Sequence, residues 1–388
     1  MRIGMKNGME EEALYRAGID YLLDWYDLNQ RILPWRQNPK PYYVWISEIM
    51  LQQTRVEAVR RYFERFIAKL PEVGALAAVS EDLLFKLWEG LGYYTRARNL
   101  KKAAEIMVRD YGGEVPGDYK ILLSLPGIGS YTAGAVASIG FGLPEPAVDG
   151  NVLRVMKRMA GSFDDISKAS VKKRLEEQIR DMIPKDRPGD YNQALMELGA
   201  TVCIPNGKPL CEACPVMHLC RTFHSGAWQQ IPVKAAGKKE RQIRERTVFV
   251  LKREDRYGIR KREEKGLLAG LWELPGTENR LGIEEAGNYL KKLGYAVKDM
   301  TPLGEAKHIF SHMEWHMTGY LADLGEDEKT ESAGNPEFVK DSEAYGEGIP
   351  GVCFFHGEEI IRKYSLPSAF DAYKKQFLKE KYDQDSEF

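Results

Sequence analysis

Apolar residues recur at helical spacing from about Glu10 to Ala200. In the opening stretch EEALYRAGIDYLLDWYDLNQ, Leu14, Ala17, Tyr21 and Trp25 fall near one stripe, as an amphipathic helix requires. Similar patterns cover 54–69, 81–90, 96–110, 129–140, 150–160 and 168–183. They are divided by breakers such as Leu70-Pro71, Gly112-Gly113, Pro144-Glu145-Pro146 and Pro188-Gly189. No sustained alternation interrupts them, so this half is expected to be all-α. After Cys220 the texture changes. Strand-like runs occur at 247–251, 259, about 271–272, 315–321 and 352–355, with one helical pattern at 283–292. This half reads as a smaller α+β domain. Residues 1–8 resemble a loose leader, and the chain after Pro367 reads as a helix fraying into a charged tail.

Length agrees with that division, because 388 residues exceed one ordinary core. Hydrophobic residues at 43% and charged residues at 29% suit a globular protein in water. The first residues meet acidic side chains before any apolar run, and mean hydropathy is −0.44. No secretory signal or membrane span is therefore expected, and the chain reads as soluble and cytoplasmic. Net charge is −1, so any contact with nucleic acid must rest on local features.

Four of the five cysteines lie in one short stretch, spaced Cys203-x7-Cys211-x2-Cys214-x5-Cys220. Without an export signal, clustering of this kind favours metal over disulfides. Zinc normally takes two C-x2-C knuckles or a knuckle with histidines. One knuckle with two outlying cysteines suits a cubane iron–sulfur cluster better, with structural zinc or four unlinked thiols as the alternatives.

A second motif is Leu125-Pro126-Gly127-Ile128-Gly129-Ser130-Tyr131, in which Gly127 and Gly129 form a tight turn before a helix. Bare backbone there lets N–H groups approach an anion, although the same turn can be a plain helix–helix corner. Some twenty residues on, Val148-Asp149-Gly150-Asn151 places Asp149 at a helix entrance, where it would also serve as an N-cap. Glu48 has Val44, Trp45 and Leu51 as helical neighbours, an apolar face on which burial would raise its pKa.

Together LPGIGSYTAGAVAS, AVDGNV and the four-cysteine loop resemble the helix–hairpin–helix DNA glycosylase superfamily. Within it, PWR, PYYVWISEIMLQQTRVEAV and WEGLGYYTRARNL resemble the MutY family of adenine glycosylases rather than endonuclease III. The resemblance covers about residues 10–220, with the first cysteine gap one residue longer than the family's usual one. It implies one [4Fe-4S] cluster on Cys203, Cys211, Cys214 and Cys220. It also implies an enzyme of base excision repair, a monomer acting on double-stranded DNA that carries adenine opposite 8-oxoguanine or guanine.

The same resemblance assigns roles. Glu48 falls on the catalytic acid that protonates the leaving base, and Asp149 on the carboxylate that stabilises the cationic sugar, a division of labour known from glycoside hydrolysis. Tyr131 stands where endonuclease III-like relatives carry the lysine that forms a Schiff base with the sugar and cuts the strand. A phenol cannot do so, and a monofunctional glycosylase is expected, with Tyr131 and Asn151 assisting. The adenine pocket maps onto Trp35, Arg36, Leu51 and Gln193. Base extrusion leaves a gap in the stack, for which Gln53 and Tyr93 are the candidates, with Thr54 and Leu91 against the partner base.

The second half is similar to MutT-like (Nudix) domains but lacks the hydrolase box, and Phe310-Ser311-His312 matches the family's lesion-recognition loop. The expected layout is a glycosylase domain over 10–222, a linker over 223–244, a Nudix-like 8-oxoguanine recognition domain over 245–366 and a tail over 367–388. A basic run from Lys234 to Lys265, including Lys238 and Lys239, could contact phosphates or simply be a solvated linker. The rival readings are an endonuclease III-like lyase and a non-catalytic damage-binding module.

Overall fold

The computed structural model describes residues 2–235, 240–325 and 351–378. Contacts divide the chain into two compact units. The first comprises Met1–Val79 and Thr95–Gly237, the second Ser80–Tyr94 and Lys238–Phe388. The short segment 80–94, assigned by sequence to the helical domain, therefore groups with the second unit.

In chain order the helices begin with α1 (Arg2–Ala17), α2 (Ile19–Asn29), α3 (Pro34–Gln37), α4 (Pro41–Leu51), α5 (Val56–Lys69), α6 (Val73–Ala78) and α7 (Glu81–Trp88). They continue with α8 (Thr95–Asp110), α9 (Tyr119–Ser124), α10 (Ser130–Ala135), α11 (Gly150–Ala160), α12 (Ala169–Met182), α13 (Pro188–Thr201) and α14 (Arg221–Ser225). All but α7 lie in the first unit, which is helical as expected. The opening pattern is two helices rather than one, broken at Gly18, and the first starts at Arg2 rather than after a loose leader. After α10 the chain continues as a π-helix over Val136–Gly140. A main core of this unit joins α2, α11, α12 and α13 through Leu22, Met156, Ile179, Leu195 and their neighbours, with Cys203 and Cys214 packed at its margin.

In the second unit the strands are β1 (Gln242–Arg253), β2 (Arg256–Lys261), β3 (Trp272–Glu273), β4 (Gly276–Thr277), β5 (Val297–Ile309), β6 (Met313–Leu324) and β7 (Val352–His356). They form one mixed sheet in the order β3-β2-β1-β6-β5, with β4 on β1 and β7 on β2, and β1 and β6 run parallel. The alternation of β1 sorts side chains onto both faces. Val248 and Val250 join Trp315, Phe370 and Tyr373, while Phe249 and Leu251 join Leu290 of α15 (Ile283–Lys292). That helix has the bounds its pattern predicted.

Two expectations for this unit need changing. β5 was not foreseen: its sequence VKDMTPLGEAKHI is polar, mostly exposed and interrupted by Pro302, with register shifts at Val297/Asp299 and Pro302/Gly304. Such features belong to an edge strand, whose outer face offers no apolar alternation to read. The domain also does not end at 366. Phe370, Tyr373 and Phe377 are buried in the sheet's core, and the Tyr373 hydroxyl donates to the Met317 carbonyl at 3.2 Å. Of the basic run, Lys238 and Lys239 lie outside the described residues, as does the end of the charged tail. Among the described residues no helix is long and apolar enough to cross a membrane.

Candidate active site

The site grows from α4, whose residues 44–50 are all buried. Pro41 stands at its start, where a missing N–H costs nothing. At its other end the Arg96 guanidinium of α8 donates to the carbonyls of Ile49, Met50 and Gln52 at 2.7, 3.1 and 2.7 Å, satisfying groups the helix leaves open. This held helix carries Glu48, 5% exposed, on its inner face.

The second element is the turn between α9 and α10. Gly127 has φ +76°, and a Cβ there would stand 2.7 Å from Asn99 Cβ, so glycine is required. At Gly129 nothing lies within 4 Å of that position, leaving the backbone open to a close partner. The turn delivers Tyr131, whose hydroxyl donates to Glu48 Oε2 at 2.5 Å.

The third is the N-terminus of α11. Asp149 caps it, accepting from the Val152 N–H at 2.8 Å and from Asn151 Nδ2 at 2.7 Å. Buried Asn192 fixes the approach by accepting from the Ala147 N–H and donating to the Glu145 carbonyl. On α13, Gly199 lets the two helices meet: a Cβ there would lie 2.7 Å from Asn151 Cβ. Arg154 then donates to Asn151 Oδ1, to the Gly199 carbonyl and to the Cys203 carbonyl, linking the Asp149–Asn151 pair to the start of the cysteine loop.

These groups share one cavity of about 590 Å³, lined among others by Trp35, Arg36, Glu48, Leu51, Tyr131, Asp149, Asn151 and Gln193. That is the size range of small-molecule sites. Gln53 and Thr54 stand at the same cavity. The sequence reading missed Arg31 and Glu197. Fully buried Glu197 pairs with Arg31 at 2.6 Å and Arg36 at 2.8 Å, one turn beyond Gln193 on α13. The only hint in sequence was that four-residue spacing from Gln193.

Electrostatics separate the ionisable groups. Burial pushes Glu48 up to about 7, Asp149 adds to the rise, and the Tyr131 hydroxyl opposes it. Burial also raises Asp149, a rise that the Val152 N–H and the Asn151 amide oppose without cancelling it. Tyr131 is raised well above the usual phenol range by burial and then by the two carboxylates, so it stays a neutral donor. One acid thus keeps a proton near neutrality beside another that is solvated by protein dipoles.

The cysteine loop follows α13. All four thiols line a second cavity of about 610 Å³ with Val202, Leu210 and Phe223, and burial pushes Cys214 up to about 12 with Cys203, Cys220 and Cys211 adding. Arg158 donates to Cys203 Sγ at 3.5 Å. Four soft donors enclosed together fit a thiolate-held centre, although no set of three His, Cys, Asp or Glu among the described residues is already at ligating separation.

The other candidates lie in the second unit. Leu91 is buried and Tyr93 is 54% exposed. Among the described residues before the sheet, Gln53 and Tyr93 are the two non-glycine residues with left-handed backbone, φ 61° and 48°, and such strain concentrates at functional positions. Phe310 packs edge-on against Trp315 and His308, and Ser311 and His312 are exposed beyond it.

A family profile described as HhH-GPD superfamily base excision DNA repair protein matches residues 46–181, and a NUDIX domain profile matches 247–375. The chain is 37% identical to a rat adenine DNA glycosylase over 76% of its own length and 68% of the relative's. It is 34% identical to the adenine DNA glycosylase of Buchnera aphidicola subsp. Acyrthosiphon pisum, covering 78% of this chain and 85% of that one. Among solved structures, a thermostable thymine-DNA glycosylase superposes with a TM-score of 0.50 at 30% identity, over 56% of this chain and 98% of that one. These matches place the protein in the adenine DNA glycosylase family, enzymes of base excision repair.

Proposed function

We propose that the enzyme is monofunctional and hydrolyses the N-glycosidic bond of adenine paired with 8-oxoguanine or guanine. The extruded nucleotide enters the 590 Å³ cavity between Trp35, Leu51 and the Arg36–Glu197 pair, with Gln193 reading the base edge. Glu48 gives its proton to a ring nitrogen of adenine. The C1′–N9 bond breaks with its electron pair leaving on the purine, and positive charge develops on the sugar. Asp149 faces that charge as a carboxylate, Tyr131 orients Glu48, and Asn151 positions the water that adds to C1′. The observation that carries this reading is Glu48, raised to about 7 beside Tyr131 and Asp149. Because residue 131 is a phenol, no side-chain amine stands there to form a Schiff base.

In this reading Cys203, Cys211, Cys214 and Cys220 hold a [4Fe-4S] cluster. When bound, it ties the loop after α13 into one piece and is not part of the bond-breaking step. Gln53 and Tyr93 fill the gap left by the extruded base, with Thr54 and Leu91 near the partner base, and Phe310-Ser311-His312 contacts 8-oxoguanine. The turn at Gly127 and Gly129 takes a backbone phosphate.

A single-turnover assay on a labelled duplex with adenine opposite 8-oxoguanine tests the reaction class. Strand scission only after alkali is the expected result. Scission without alkali would show a lyase, and no product either way would favour a damage-binding module.

A further inference from the structure

The segment 80–94 groups with the second unit, and three consecutive residues there, 364–366, meet it on both sides of residues 90–93. At the start of α7, Asp82 Oδ1 accepts from Trp272 Nε1 at 3.1 Å and pairs with Lys261 at 3.2 Å. After α7, Glu89 Oε1 accepts the backbone N–H of Leu366 at 3.2 Å, with Lys374 Nζ 3.7 Å away. Its other oxygen takes Lys86 Nζ at 2.5 Å, and that ammonium also donates to the Tyr364 carbonyl at 3.3 Å. Five residues on, the Tyr94 hydroxyl meets the buried Ser365 hydroxyl at 3.1 Å. Tyr364, Ser365 and Leu366 thus grip both ends of a loop whose middle is Gly90-Leu91-Gly92-Tyr93.

That loop is not relaxed. Gly90, Gly92 and Tyr93 all have positive φ (100°, 68° and 48°), and Trp88 Nε1 donates across it to the Gly92 carbonyl at 3.1 Å. A tyrosine held in left-handed backbone with its ring half exposed needs its flanks fixed. At one flank Glu89 makes a set of charge-assisted contacts, accepting one N–H and meeting two ammonium groups.

We infer that Glu89 is a positioning residue for duplex recognition: by clamping the loop to residues 364–366 it presets the posture of Tyr93. This rests on the reading of Tyr93 as a group that enters the DNA stack. Glu89 touches no reacting atom, so its loss weakens binding and leaves bond cleavage alone.

The test uses the full chain and a duplex in which a 2′-fluorinated adenosine opposite 8-oxoguanine resists excision, with Kd read for Glu89→Ala, Glu89→Gln, Tyr93→Ala and the Glu89→Ala/Tyr93→Ala pair. Loss of one charge-assisted hydrogen bond predicts about tenfold weaker binding for Glu89→Ala. Glu89→Gln, which keeps an acceptor for the Leu366 N–H, recovers most of it. The double variant binds within about twofold of Tyr93→Ala alone, because both substitutions act through one group. Single-turnover excision at saturating enzyme, on an ordinary adenine substrate, stays within about twofold of wild type for Glu89→Ala and Glu89→Gln. Lys374→Met, a gentler change at the same clamp, shifts Kd in the same direction. Multiplying effects in the double variant, or a silent Glu89→Ala beside a weakened Tyr93→Ala, would overturn the inference alone. A silent Tyr93→Ala would overturn the reading of the loop and the inference with it.

Discussion

In the proposed function, the cavity around Glu48 and the turn at 310–312 solve opposite problems. Glu48 is buried on a helix whose ends are tied down, and burial is what keeps a carboxylic acid protonated near neutrality. At the turn, Phe310 is packed on Trp315 while Ser311 and His312 stand in solvent. Chemistry needs a group whose protonation is altered by its surroundings. Reading a base edge needs ordinary donors and acceptors held out from a rigid anchor. The same contrast separates what substitutions should do in each place.

The largest effect belongs to the buried acid. Glu48→Gln removes the proposed proton donor and is expected to cost about 10²–10⁴ in the excision step, with duplex affinity within a few-fold, as separate rate and Kd measurements would show. If affinity fell as far as rate, the cavity would be a binding site first. Asp149→Asn comes next, at roughly 10²–10³ in rate, the scale for removing one group that faces developing charge. An unchanged rate there would remove Asp149 from the mechanism.

Tyr131→Phe should cost about tenfold at neutral pH and also move the pH profile. The phenol hydrogen bond favours the ionised form of Glu48 and so lowers its pKa. Without it the pKa rises further, and the alkaline fall in rate shifts to higher pH. A shift to lower pH would mean the hydrogen bond runs the other way. The smallest effect is at the exposed turn. Ser311→Ala and His312→Ala should reduce the preference for adenine opposite 8-oxoguanine over guanine about three- to tenfold, and leave excision opposite guanine nearly unaltered. Equal loss on both substrates would make the turn a general DNA contact.

Burial of Glu48 should also cost stability. An acid whose folded pKa is above its unfolded value of 4.5 favours folding less once both states are ionised. The penalty is absent below pH 4.5, grows between there and about 7, and is complete above that. Glu48→Gln should therefore be the more stable protein at pH 8, by at most roughly 3 kcal/mol, and lose that advantage near pH 4.5, as denaturant melts at the two values would record.

Much of this was legible in the sequence because it is local. Periodicity separated helices from strands, placed α15 at its observed bounds and put Glu48 on an apolar helix face. The signals that failed are those made by distant residues. Glu197 meets Arg31 and Arg36 across more than 160 residues, and no short pattern announces such a pair. Phe370, Tyr373 and Phe377 looked like the start of a tail because short helical turns among charges carry no sustained period, yet they close the sheet's core. Segment 80–94 has the texture of its helical neighbours, and only three-dimensional contacts assign it elsewhere.

The most direct test of the account is the single-turnover excision rate as a function of pH, for wild type and Glu48→Gln on one duplex with adenine opposite 8-oxoguanine. A protonated Glu48 with a pKa raised to about 7 predicts a wild-type rate that turns down as pH rises through that value, approaching about tenfold per unit. The Gln variant would be slow at every pH and lack that downturn. A wild-type rate level from pH 6 to about 9, or a Gln variant with the same downturn, would contradict the assignment of Glu48 as the acid.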